Sequence, residues 1–316
     1  MEFFSDSPVE AEWFRKLDSR LLTARSGAIR SRGSNPPIVE SLVSYDRPDI
    51  ILLDGEQPIL VIEITREVPT GHNVGQRVAR LVRSAEMGVT TMFFLPFEAR
   101  KHGDYSSLCR INARLLSAMR RMSEIHGVPV VPIDWPANKH GALITDGSEN
   151  IVISDLVSAS LDSWPGSSSS AMDRHHLWLR DEESRRINDY PSYGKFPPSV
   201  RIVRTDSFLD GLRFSLGEVS LLERRLESLV YEIGMTPENC RRQDPYTGMQ
   251  FVYDYGWLRE GPTPADRSKN LILHVPNVDG RTWRHANPND PETKSCNWYL
   301  IADAIVLSDE VLLLQH

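Results

Sequence analysis

Asp49 and Glu63 stand 14 positions apart, each at the outer end of a short apolar run. Ile50–Leu53 follows the first, Ile59–Ile62 precedes the second, and Asp54-Gly55-Glu56 lies between them. That pattern predicts a β-hairpin, with Gly55 supplying the positive φ that a tight turn requires. In an antiparallel pair the start of one strand lies beside the end of the next, so the two carboxylates converge. Runs this apolar predict a hairpin covered on both faces. A carboxylate at the end of such a strand needs a partner, because a buried lone charge is costly. A divalent cation held between two carboxylates is the chemistry these residues suit.

Arg47-Pro48-Asp49, the hairpin and then Glu63-Ile64-Thr65 together resemble the PD-(D/E)xK nuclease superfamily, the fold of type II restriction endonucleases. Its signature is Pro-Asp, a hairpin, then an acidic residue, one apolar residue and Lys. Thr65 occupies the Lys position, the one departure. The resemblance covers roughly the first half of the chain. It implies Mg²⁺, with Mn²⁺ able to substitute, held by Asp49, Glu63 and the backbone carbonyl of Ile64. It also implies double-stranded DNA as substrate and a homodimer, since two strands need two centres. Several members carry a Gln near the start of the helix after the acidic strand. Gln76 matches that position, where it either faces the metal site or is a solvated helix residue. Thr65 can hydrogen-bond a water or a phosphate oxygen but carries no charge. Arg66, Arg77 or Arg80 could supply the displaced charge, and His72 a base. Glu10, Glu12 and Glu40 are candidates for a third acidic ligand.

The elements that would position these residues follow from periodicity and punctuation. Val9–Leu22 reads as a helix and Ile38–Ser44 as a short strand. Val74–Met87 has helical spacing and stops at Gly88. Thr90–Leu95 reads as a strand, Leu108–His126 as a helix and Val128–Ile133 as a strand. The fold class is α/β, a mixed sheet flanked by helices, with a restriction-endonuclease-like core over 1–162. Ser163–Met172, with four consecutive Ser, reads as a linker, and Asp173–Pro198 as charged, irregular chain. The remaining region, 199–316, reads as α+β, with a helix at Leu216–Ile233 and strands at Gln250–Tyr255, Leu271–Val275, Tyr299–Leu307 and Val311–Leu314.

Composition narrows the class further. At 316 residues, 40% hydrophobic and 25% charged, the chain is ordinary for a globular protein. No apolar run approaches the ~20 residues of a membrane helix, and the first residues lack a signal peptide's pattern. Three widely spaced cysteines form no disulfide framework and fit a reducing cytoplasm. Cys240, His274, His285 and Cys296 lack the close ligand pairs of structural zinc sites. A net charge of −7 does not advertise nucleic-acid binding, so the basic contacts must be local. Arg30 and Arg32 precede the hairpin, Arg77 and Arg80 follow it, and Arg242 and Arg281 sit in polar, aromatic, turn-rich stretches. Arg is suited to bidentate contacts with phosphate and guanine edges. The expected function is a Mg²⁺-dependent endodeoxyribonuclease, a type II restriction enzyme. The alternatives are an inactive nucleic-acid-binding protein on the same scaffold, which Thr65 favours, and an RNA-cleaving defence nuclease.

Overall fold

The structure is a computed structural model. It describes residues 1–31, 33–66, 69, 71–100, 108–148, 150–162, 170–189, 191, 200–212, 219–241, 267–286 and 297–314. The chain divides into two compact units, Met1–Gly194 and Lys195–His316. It is mixed α/β, each unit having its own mixed sheet. Among the described residues no helix is long and apolar enough to cross a membrane.

The first unit opens with β1 (Glu2–Ser5), α1 (Pro8–Arg15), α2 (Ser19–Leu22), β2 (Arg25–Ala28) and α3 (Pro37–Leu42). β3 (Ile50–Asp54), β4 (Gln57–Ile64), α4 (Gly71–Glu86) and β5 (Thr90–Leu95) follow. The unit continues with β6 (Glu98–Arg100), β7 (Leu108–Arg110), α5 (Ala113–His126), β8 (Val130–Asp134), α6 (Asn150–Asp162) and α7 (Ser170–Asp189). Its six-stranded sheet has the order β2-β1-β3-β4-β5-β8. β3 and β4 are antiparallel with Ile50 opposite Ile62, whereas β4, β5 and β8 run parallel.

The hairpin turns at Gly55, whose φ is +60°, and the register shifts between Leu52 and Leu53. Both hairpin faces are buried. Ile50, Leu52, Leu60 and Ile62 pack with Phe14, Phe94 and Trp135 on one side. Ile51, Leu53 and Val61 pack with Val39 and Leu42 of α3 on the other. The free edge of β8 is closed by its own chain. Val130 N–H donates to Ser123 Oγ at 2.8 Å, Pro132 has no N–H to offer, and the Pro132 carbonyl contacts His175 Nε2 at 2.9 Å. This edge therefore offers no template for another strand.

The first unit departs from expectation in three places. Ile38–Ser44 is the helix α3, not a strand: Pro37 sits in its first turn, where a fixed φ and missing N–H favour a helix. Val9–Leu22 is two helices, because the Asp18 carboxylate accepts the Arg20 N–H and caps a second start. Asp173–Asp189 belongs to the 20-residue helix α7 and is not irregular chain, while residues 190 and 192–198 lie outside the described residues. The inward face of α7 is charged, with Glu183 paired to Arg120 and Arg186 to Glu182, so it shows no apolar stripe. Residues 163–169 of the expected linker lie outside the described residues. The helix expected from Leu108 starts at Ala113, and Leu108–Arg110 is β7 instead.

The second unit contains β9 (Val200–Arg204), α8 (Thr205–Asp210), α9 (Ser220–Glu223), β10 (Glu227–Glu232) and α10 (Pro237–Arg241). β11 (Lys269–His274), α11 (Gly280–Ala286), a 3₁₀ turn (Asn297–Ile301), β12 (Ala304–Val306) and β13 (Val311–Leu313) complete it. Its sheet order is β13-β12-β11-β10-β9. The helix expected at Leu216–Ile233 is instead the short α9 followed by β10. Leu229, Val230 and Tyr231 are buried in succession, which a strand covered on both faces achieves and a helix does not. The expected strand Tyr299–Leu307 begins as the 3₁₀ turn and becomes β12. Gln250–Tyr255 lies outside the described residues.

Candidate metal centre at the carboxyl end of β4

Asp49 immediately precedes β3 and Glu63 is the penultimate residue of β4. Continuing the register beyond the Ile50–Ile62 pair sets them opposite each other. The Asp6 N–H donates to the Asp49 carbonyl at 2.9 Å and anchors the backbone there. The Asp49 carboxylate accepts the Ile64 N–H at 2.5 Å, so the ladder ends in a side chain instead of a backbone carbonyl. Thr65 continues the chain against β5, donating its N–H to the Phe94 carbonyl at 2.8 Å. The site thus sits where parallel strands β4 and β5 end, the usual place for a ligand in such sheets.

Glu63 is fully buried and Asp49 is 9% exposed. From α4, Arg80 reaches Glu63 Oε1 at 2.7 Å, and its Nε donates to Asp46 at 2.8 Å. Arg77, one turn earlier, lies 3.2 Å from the same Glu63 oxygen. Glu63 Oε2 is buried without a hydrogen-bond partner. Each carboxylate therefore has one oxygen tied down. Arg77 and Arg80 turn inward to the acid pair instead of outward to solvent.

Burial raises the Glu63 carboxyl well above its usual range. Arg80 and Arg77 oppose the rise and Asp49 adds to it. Asp49 is also raised, first by burial, against the pull of Arg80 and the Ile64 N–H. Glu10 on α1 is pushed up to about 7 by burial and by Asp49. Burial would depress Arg80, but Glu63 and Asp46 overcome it and keep the guanidinium firmly charged. Desolvation thus wins over the arginines at all three acids. With every group ionised, Asp6, Glu10, Asp46, Asp49 and Glu63 would exceed the guanidiniums of Arg47, Arg66, Arg77 and Arg80 by one charge. The cluster meets that excess by holding protons, or by taking up a cation.

An added divalent ion fits that excess negative charge and the unpaired Glu63 oxygen. The fit is with two carboxylates and a backbone carbonyl, since among the described residues no three acidic, His or Cys side chains converge into a ready cage. Glu12 pairs with Lys16 at 3.0 Å. Glu40, on α3, accepts from Gly33 N–H and Asn35 Nδ2 and so staples a loop. Arg66 lies over the Trp135 ring, 4.9 Å from its centroid, and makes no pair with Glu63. Gln76 and His72 are on α4, but their side chains lie outside the described ones. Thr65 is 2% exposed and leaves the motif Lys position uncharged.

Arg30 and Arg281 are exposed on separate units, while Arg32 and Arg242 lie outside the described residues. Of the rejected zinc set, Cys240 is buried on α10 and Cys296 lies outside the described residues. Sequence reasoning missed Asp46, although its position three residues before Asp49 was the available signal. It also missed a polar cleft of about 360 Å³ at the carboxyl end of β8, where Arg100, Lys139 and His140 gather with Asp134 and with Arg185 and Arg186, both paired to Glu182 and Glu98. These residues come from separate segments and share no motif.

No protein-family model matches the chain. No curated protein and no solved structure matches it significantly.

Proposed function

We propose that this protein is a divalent-metal-dependent endonuclease acting on double-stranded DNA, in the manner of a type II restriction enzyme. The carrying observation is the buried, unpartnered Glu63 Oε2 beside Asp49, in a cluster short of positive charge. Asp49, Glu63 and the Ile64 carbonyl would hold the ion. An ion held by these residues would supply an acidified water and polarise a phosphoryl oxygen.

Arg80 and Arg77 are positioning residues: by engaging Glu63 Oε1 they leave Oε2 as the donor atom. The Ile64 N–H does the same for Asp49. Thr65 carries no charge, and Arg77 and Arg80 of α4 are engaged by Glu63, so the cation that would meet the phosphate comes from elsewhere. Hydrolysis forms a bond from the water oxygen to phosphorus and breaks one P–O ester bond, the leaving oxygen taking up a proton. Glu10, whose carboxyl burial and Asp49 push up to about 7, would hold or release a proton in this electrostatic cluster. Lys139 of the β8 cleft suits the phosphate backbone, where Arg and Lys contacts position a duplex without reading it.

One observation favours a second reading, a nuclease scaffold that binds DNA without cutting it. Arg80 already gives Glu63 a counter-charge at 2.7 Å. Incubation with supercoiled duplex DNA and Mg²⁺ or Mn²⁺ separates the two, with single-stranded RNA run in parallel. Cleavage that Asp49→Asn abolishes is expected. DNA retained by a folded protein but uncut under every divalent ion would overturn the proposal in favour of the binding reading.

A further inference from the structure

We infer that the second unit repeats the strand framework carrying Asp49 and Glu63, in a form that has lost the metal centre, so that each chain holds one cutting centre. The activity part of this inference rests on the nuclease reading above.

The repeat is visible in the strand order and directions, and in the register at which matching residues stand. In the first unit β3, β4, β5 and β8 are neighbours in that order; β3 is antiparallel to β4, and β4, β5 and β8 are parallel. In the second unit β9, β10, β11 and β12 are neighbours in the same order with the same directions. The register coincides as well. Ile50 opposes Ile62 in the first hairpin, and Val200 opposes Tyr231 in the second antiparallel pair. Both residues on the leading strand follow a Pro-x pair, Pro48-Asp49 and Pro198-Ser199. Both residues on the following strand precede Glu-Ile, Glu63-Ile64 and Glu232-Ile233. Glu-Ile alone is a weak match; at the same register position of the same strand arrangement it is specific. The connections differ, since a two-residue turn joins β3 to β4 whereas α8 and α9 lie between β9 and β10.

The chemistry has diverged. Ser199, outside the described residues, takes the place in sequence that Asp49 holds, so the paired carboxylate is missing. Glu232 is half-exposed, in contrast to the fully buried Glu63. Arg201 lies 3.4 Å from Glu232, and His274 Nδ1 lies 3.8 Å from it. A single solvated carboxylate with an arginine already beside it lacks the desolvated pair that calls for a divalent ion. One chain therefore cuts one strand, and a double-strand break takes two chains or two encounters.

The test uses supercoiled plasmid and Mg²⁺ with the full chain and its Glu63→Gln, Asp49→Asn, Glu232→Gln and Glu63→Gln/Glu232→Gln variants, each checked for folding by circular dichroism. Glu63→Gln or Asp49→Asn should remove all strand cleavage, nicking included, while Glu232→Gln should keep the parent rate within about twofold. The inference is overturned, and the nuclease reading spared, if Glu63→Gln still nicks DNA and the double variant does not. It is overturned equally if Glu232→Gln loses cleavage while folded. A parent that cuts no DNA under any divalent ion removes both the nuclease reading and the single-centre inference.

Discussion

Replacing Arg80 by Met keeps most of the side-chain volume on α4 and removes the guanidinium that bridges Glu63 and Asp46. Glu63 is fully buried, and its contact with Arg80 is 2.7 Å. Breaking a buried pair by deleting one partner costs about 3–5 kcal/mol. Two features hold the loss to the lower end: Arg77 remains 3.2 Å away, and Glu63 can take up a proton. A loss of about 3 kcal/mol in a unit of this size corresponds to a fall in Tm on the order of 6–12 °C. The deficit must depend on pH. A carboxyl whose folded pKa is raised contributes stability below its unfolded pKa and loses it as pH rises through the folded value. Glu63 is raised in the parent, and losing Arg80 raises it further, so the variant's deficit should be larger at pH 8 than at pH 5, on top of the loss of the Asp46 pair at both. Thermal melts by circular dichroism in EDTA at both pH values measure this. Mn²⁺ at pH 8 should then recover more of the variant's Tm than the parent gains, because the ion takes over the missing counter-charge. Equal deficits at both pH values, or a shift under about 2 °C at pH 8, would refute the electrostatic argument.

Asp49→Asn keeps an acceptor for the Ile64 N–H and removes one of two mutually repelling charges, so its Tm in EDTA at pH 8 should rise. Asp49→Ala should not give that gain, since a buried N–H left unpaired costs about 1–3 kcal/mol; parallel melts of the two compare these effects. Glu10, raised from 4.5 to about 7, favours the folded state below its unfolded pKa and loses that contribution as pH climbs from there through about 7. Glu10→Gln should therefore flatten the fall of Tm between pH 5 and 7, and an unchanged profile in EDTA would dismiss its coupling to Asp49. Lys139→Ala, in the β8 cleft, should weaken DNA binding uniformly across sequences, and fluorescence anisotropy should show the log–log salt slope reduced by about 1.

The hairpin, α4, β5 and β8 could be read from the sequence because their signals are local. Asp54-Gly55 marks the turn, Gly88 at φ +73° ends the helix, and β5 is a dense apolar run. The acid pair could be read for the same reason, since one hairpin carries both residues. Other elements depend on distant partners. β1 is four residues long and owes its place to pairing with both β2 and β3. α7 buries Glu183 against Ser117 and Arg120, a polar interface that hydrophobic periodicity cannot reveal. In the second unit Leu222, Leu226, Leu229 and Ile233 mimic a helical stripe. Leu226 is 75% exposed, however, and the signal lay in the consecutive Leu229-Val230-Tyr231 run. Arg80 was among several candidate cations, and only the course of α4 beneath β4 selects it.

The central claim is that Asp49 and Glu63 hold one divalent cation together, and Mn²⁺ titration calorimetry on the parent, Asp49→Asn and Glu63→Gln tests it without requiring any cleavage. The account predicts a binding isotherm for the parent at pH 8 that disappears in each variant while both remain folded. Heats that are absent from the parent, or that persist unchanged in either variant, would contradict it.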